Sequence, residues 1–327
     1  MIASNRQVPY AFLKSFEGVE PAMFGVSSRA ICTPDWKDQM IWANDKKMLV
    51  KQPENSYLSV VNNTYTVIEN KDWAVPIHEQ MVKSFGVGMF IGDEHSCKTK
   101  ATLSKNGAVT HVYYDFPDVS TDIETTNKHE TQLKLRVIVK NTFDASSKVI
   151  LYVGNIDTFC ENGMITGQYH VMRQSHRGTF KVNDFTETFE NALASWKEGN
   201  ATYYKMAKTS IFPRDVWKLF FELDKKEPWE GMNVHTRGDA KDLGVDRTLA
   251  WKLYQRYIYD EVPVRGHNLF SVISALTHYS SHNSPEFRMQ KGNEDTVPSR
   301  ILSRQEKVAK WMNTNTWDRL VTQRIAA

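Results

Sequence analysis

An α+β fold follows from two features of this sequence: β-branched and aromatic runs dominate residues 51–182, and beyond Phe180 the apolar period becomes helical. Strands first and helices second argue for an antiparallel β-sheet packed by a helical C-terminal half, against an alternating parallel α/β fold. With 327 residues the chain is long enough for about two compact units. Taken in order, residues 1–50 mix Tyr10, Phe12, Phe16, Phe24, Trp36 and Trp42 with Pro9, Pro21 and Pro34 and show no sustained period, so an irregular N-terminal arm is expected. Tyr57–Val61 and Thr64–Ile68 read as a hairpin about Asn62-Asn63. A helix follows, with Asp72 near its start, Pro76 in its first turn, and Ile77, Met81 and Phe85 on one face.

Val87–Ile91, Cys97–Leu103, Ala108–Tyr114, Thr131–Val139 and Lys148–Val153 read as strands of one sheet, with a turn at Lys105-Asn106-Gly107. The region 183–327 is helical. Asn183 or Asp184 caps a helix carrying Phe185, Phe189, Ala192, Leu193 and Trp196. Pro213 opens another, with Val216, Leu219, Phe220 and Leu223 as its stripe. Further helices are expected over Arg247–Tyr259, His267–His282 and Pro298–Ile325, the last with basic residues.

Lys and Arg number 41 against 38 Asp and Glu, a net charge of +3, so any cationic surface must be local. No run approaches the roughly 18 apolar residues of a membrane helix, and the first residues lack a signal-peptide pattern. Three well-separated cysteines fit free thiols, and a cytoplasmic location without membrane contact is expected.

Gly86-Val87-Gly88-Met89-Phe90-Ile91-Gly92 has the wrong spacing for a dinucleotide loop and lies in an expected strand. Neither a phosphate-loop motif nor a nucleophile elbow occurs. Asp118 followed by Gln132-Leu133-Lys134 lacks the second carboxylate of a magnesium nuclease. Cys160, His170, His176, His278 and His282 are weak candidates for a structural zinc, the last two spaced to share a helix face, with buried histidines as the simpler reading. No other cofactor is expected. No catalytic residue is assigned, and an enzyme is the less favoured reading.

Charge alternation is the most informative pattern. In Gln132–Lys140 the odd positions are apolar and Lys134, Arg136 and Lys140 share the other face, while Lys98 and Lys100 repeat this on an earlier strand. Whether the two strands adjoin is open at this stage. Between Ile165 and Asn183, Arg173, Arg177 and Lys181 occur with no acid and interleave with Tyr169 and Phe180, a mixture suited to phosphate neutralisation and base stacking. Residues 298–325 add Arg300, Arg304, Lys307, Lys310, Arg319 and Arg324 against Glu306 and Asp318.

Tyr57–Asn62, Lys140–Ser146, Phe159–Met164, His176-Arg177-Gly178-Thr179 and Ser274–His282 stand in one order along the chain. Together they resemble the phage/plasmid-like family catalogued as a domain of unknown function, DUF932. The resemblance spans roughly residues 50–285. This chain departs from it at Thr142, Ala145 and Ser274, where the family more often has serine, glycine and asparagine. The resemblance implies a phage or plasmid gene product encoded near replication and recombination functions, without catalytic residues to carry over. Asn162-Gly163 itself reads as a tight turn.

The reading is a single-stranded nucleic-acid-binding protein, for DNA with RNA left open, acting in ATP-independent annealing or recombination as a homo-oligomer. In it Lys98, Lys100, Lys134, Arg136, Lys140, Arg173, Arg177 and Lys181 contact phosphates, while Tyr169 and Phe180 stack on bases. The alternatives are an interaction protein that binds a host protein, and a zinc-dependent enzyme.

Overall fold

The computed structural model describes residues 18–34, 37–86, 97–128, 130–157, 162–164, 172–225, 236–282, 287 and 297–326. The expected α+β order holds, with antiparallel sheets in the N-terminal half and helices in the C-terminal half. Strands β1 (Gly25–Pro34), β2 (Met40–Gln52) and β3 (Ser56–Asn62) form one sheet in that order. Helix α1 (Asn70–Phe85) follows. The second sheet has the order β4 (Lys98–Ser104), β5 (Val109–Glu124), β6 (Glu130–Thr142), β7 (Val149–Asp157), β8 (Asn162–Met164), with β9 (Met172–Gln174) also paired to β7. The helices are α2 (Val182–Lys208), α3 (Pro213–Lys225), α4 (Arg237–Asp242), α5 (Leu249–Gln255), α6 (Val262–Arg265), α7 (Leu269–Ser281), α8 (Val297–Met312), α9 (Asn315–Trp317) and α10 (Gln323–Ala326).

The chain divides into two compact units. The first takes residues 1–119, 135–153 and 170–194, and the second takes 120–134, 154–169 and 195–327. In the first, Phe24, Leu49, Leu58, Val61, Tyr65 and Phe143 form an apolar cluster. Ile77 and Met81 of α1 are also buried, as their helical spacing requires. In the second, the stripe Val216, Leu219, Phe220 and Leu223 packs with Trp217, Trp251 and nearly all of α7. Gly266 lets this unit close. Its φ is +87°, and a Cβ would collide with Thr126 Oγ1.

Several expectations are corrected. The arm expected to be irregular over 1–50 carries β1 and β2. Their outer ends are solvated on both faces, with Met40, Ile41 and Trp42 all exposed, so no period marks them. Thr64–Ile68 is no strand, because β3 pairs with β2 instead. Side chains satisfy its carbonyls in place of a ladder: Lys47 Nζ donates to Tyr65 O at 2.7 Å, and Asn141 Nδ2 to Ile68 O at 2.8 Å. Helix α1 starts at Asn70, where the Asp72 carboxylate accepts the Glu69 N–H at 2.8 Å, so Pro76 falls in the second turn. Asn162-Gly163 is not a tight turn but part of β8, Gly163 lying opposite Ile156. The last long helix is interrupted after Met312, where Thr314 Oγ1 accepts the Trp317 N–H at 3.2 Å and caps a new turn. The expected strand Val87–Ile91 lies outside the described residues.

Candidate nucleic-acid interface

The two expected cationic strands flank β5, so Lys98 and Lys100 share a sheet with Arg136 and Lys140. The strand between them changes the charge of that face. Asp115 stands opposite Lys98 in register and takes both ends of the Arg136 guanidinium, at 2.5 and 2.8 Å, while Arg136 lies 5.7 Å over the Tyr113 ring. This bidentate pair compensates Arg136 within the sheet. Lys140 is half-buried, and its charge adds to the burial that pushes His111 down to about 3. Lys98 and Lys100 remain exposed on β4. Lys134, half-buried on β6, belongs to the second unit. The face is therefore mixed rather than uniformly cationic.

Arg173 is exposed on β9 opposite Ile150, and Lys181 lies 3.9 Å from Asp184 Oδ2. Phe180 is half-buried. Tyr169, His170 and Cys160 lie outside the described residues. His278 and His282 stack with ring centroids 4.4 Å apart. Among the described residues no three or more His, Cys, Asp or Glu gather as metal ligands would.

The structure instead brings Arg177 and His176 into a cleft of about 270 Å³ in the first unit, lined also by Asn62, Thr64, Tyr65, Ala145, Ser147, Lys148 and Ser175. Its walls are three strand-end loops: the turn after β3, the β6–β7 turn, and the segment after β9. Three of the segments that carry the family resemblance therefore meet here, at Asn62, Ala145 and His176-Arg177.

The walls are fixed from beneath. Asn141 is buried, and its amide donates to Asn70 Oδ1 at 2.8 Å while its own Oδ1 accepts the Thr142 N–H at 2.9 Å. Thr142 Oγ1 donates to Ser147 O at 2.8 Å and accepts the Ser147 N–H at 3.2 Å, a role that serine would also fill. Asp144 accepts the Ser146 N–H at 3.0 Å and pairs with Lys105 at 2.6 Å. Burial alone would raise the Asp144 carboxyl, but the Lys105 and Ser146 hydrogen bonds and the Lys105 charge hold it below its ordinary value. Ala145 sits at φ +58°, the left-handed region that favours glycine.

The third wall is tied by Thr66 N–H donating to His176 O at 2.7 Å. His176 Nδ1 lies 3.2 Å from Thr66 O, and its ring stacks on Tyr65 at 4.6 Å. Burial pushes the His176 pKa down, so the ring is neutral near pH 7. The positive charge of the cleft is carried by Lys148 and Arg177, both exposed. Among the described residues no acidic side chain lines it, and neither cation has a carboxylate partner. Sequence reasoning missed Lys148, whose only signal is a lone cation after a turn.

The basic C-terminal helices are different. Arg304 is buried and donates to the carbonyls of Tyr279, His282 and Phe287 at 3.2, 3.0 and 2.6 Å, closing the C-terminal end of α7. Arg319 pairs with Glu222 and Arg324 with Asp215, each at 2.5 Å. Lys307 lies 4.6 Å over the Trp311 ring. Ser274 is buried with its hydroxyl unpartnered among the described residues.

Residues 57–312 match the family model described as Domain of unknown function (DUF932). No curated protein and no solved structure matches the chain. No helix among the described residues is long and apolar enough to cross a membrane.

Proposed function

The chain belongs to the DUF932 family, and on that premise, which brings no activity with it, we propose that it binds single-stranded nucleic acid through the cleft of its first unit. The observation that carries this reading is the pair Lys148 and Arg177, which among the described residues meet no carboxylate and share a cleft with no acidic lining. Two such cations attract phosphate, and the Ser147, Ser175 and Thr64 hydroxyls with the Asn62 amide supply polar contacts around it. At about 270 Å³ the cleft is slightly smaller than the usual small-molecule site. It has room for a phosphodiester and leaves the bases outside, free to pair, as ATP-independent annealing requires. A cytoplasmic setting, self-association and origin in a phage or plasmid belong to the same proposal.

The test is fluorescence anisotropy with labelled single-stranded and double-stranded oligonucleotides across a salt series. The wild-type protein is expected to favour the single strand with a steep salt dependence. Replacing Lys148 and Arg177 together by alanine removes two phosphate contacts and lowers the log–log salt slope by about 1.4. The unfolding free energy of this double variant should stay within about 0.5 kcal/mol of wild type, as for other exposed positions. An unchanged slope and affinity in it would overturn the assignment.

A further inference from the structure

On the far side of the Asn62-Asn63-Thr64 turn lies a second concavity, also about 270 Å³, whose lining includes Arg29, Trp42, Asn44, Lys46, Lys47 and Asn63. We propose that this concavity is the stacking subsite for the same single strand, with a base laid on Trp42 and the adjoining phosphates on Arg29, Lys46 and Lys47. The inference rests on the reading of the first cleft and extends it from one phosphodiester to a run of several nucleotides.

Three observations carry it. First, Trp42 is 55% exposed on β2, opposite Cys32. A lone exposed aromatic is ordinary, but this one shares a concavity with three cations. Second, neutral oxygens hold those cations: Arg29 donates to Asn55 Oδ1 at 2.6 Å, Lys46 to Asn62 Oδ1, and Lys47 to the carbonyls of Tyr65 and Asn63 at 2.7 and 3.3 Å. The one carboxylate paired with any of them among the described residues is the exposed Asp45, 3.9 Å from Lys46. The cations are therefore positioned and largely left without a countercharge among the described residues, which suits a polyanion and not a purely apolar partner, and the exposed Trp42 beside them suits one that carries bases. Third, the two concavities adjoin. Asn62 lines one and Asn63 the other, and Lys47 bonds the carbonyl of Tyr65, which lines the first cleft. An aromatic platform beside a track of cations is the combination by which proteins hold unpaired strands without reading their sequence.

The experiment uses the full-length protein and fluorescein-labelled oligothymidine in the same salt series, with Trp42→Ala and Trp42→Phe. Trp42→Ala is expected to weaken binding about tenfold through lost stacking, with an unchanged salt slope because no phosphate contact is removed. Trp42→Phe is expected to recover most of the affinity. Urea unfolding of each variant confirms that the exposed substitution leaves the fold intact. If the wild type binds with a steep salt slope and Trp42→Ala binds equally well, the subsite is overturned while the first cleft stands. A changed sedimentation coefficient in that same variant would assign Trp42 to contact between protein copies. If the wild type does not bind oligothymidine even at low salt, the reading of the first cleft fails, and this one with it.

Discussion

In the first unit, Lys148 and Arg177 line a cleft without carboxylate partners among the described residues, and Lys47 is held by neutral carbonyls. In the second, Arg304 is buried against three carbonyls, Arg319 and Arg324 pair with acids, and Arg265 is buried against Glu261. Cationic groups thus do opposite things in one chain. In the second unit these arginines hold helices together, whereas in the first, where Arg136 and Lys105 are paired with Asp115 and Asp144, Lys148 and Arg177 have no carboxylate partner among the described residues. The difference teaches that a basic stretch becomes a binding surface only if no carbonyl end or carboxylate of its own fold engages it.

The largest expected effect tests the structural half of this comparison. Arg304→Ala leaves the carbonyls of Tyr279, His282 and Phe287 without their donor and should cost about 3–5 kcal/mol of stability in urea unfolding. A loss under about 0.5 kcal/mol, the range of an ordinary surface position, would place Arg304 with the available cations instead.

Acid should separate the units next. Burial pushes His78 down to about 4, and burial with the Lys140 charge pushes His111 down to about 3. An unfolded histidine titrates near 6.5, so between that value and the folded ones the unfolded chain binds more protons. The stability contributed by these neutral rings is full above about pH 6.5 and is lost as pH falls toward 4. Limited proteolysis at pH 7.5 and pH 5 should open the first unit at the lower pH, and His78→Gln should lessen the difference. Equal resistance at both pH values would contradict the burial of these rings.

The smallest effect concerns a cleft wall. Ala145→Gly relieves the cost of φ +58°, and against the entropy of glycine it should raise stability by at most about 1 kcal/mol. A fall in the urea midpoint would mean that the alanine methyl packs to more advantage than its backbone strain costs.

The helical half was largely legible because its stripes are one-sided: Val216, Leu219, Phe220 and Leu223 were readable as a core face, and all are buried. Pro213 marks the start of α3 for the same local reason, since its missing N–H has no partner to lose there. The alternation of β6 was readable, yet not its charge balance, because Asp115 comes from β5 and reaches Arg136 only through strand pairing. β1 and β2 were illegible for want of a buried face at their outer ends. Of the candidate site, Arg177 was read from the basic stretch, and His176 only as a weak zinc candidate. Lys148 was missed, and Trp42 was read only as part of the arm, because lone residues in turns and solvated ribbons carry no period.

By itself the amino-acid order determined the class of the fold, the helical stripes, the helix start at Pro213 and the alternating faces of the longer strands. Those properties depend on residues a few positions apart, whose spacing the backbone geometry makes regular. Only the tertiary structure decided which cations are available. That depends on whether an acceptor arrives from a distant segment, as Asp115 does for Arg136 and as Tyr279 and Phe287 do for Arg304, while none of the described residues brings a carboxylate to Lys148 or Arg177. Electrostatic compensation is set by distance in space, and separation along the chain does not encode it.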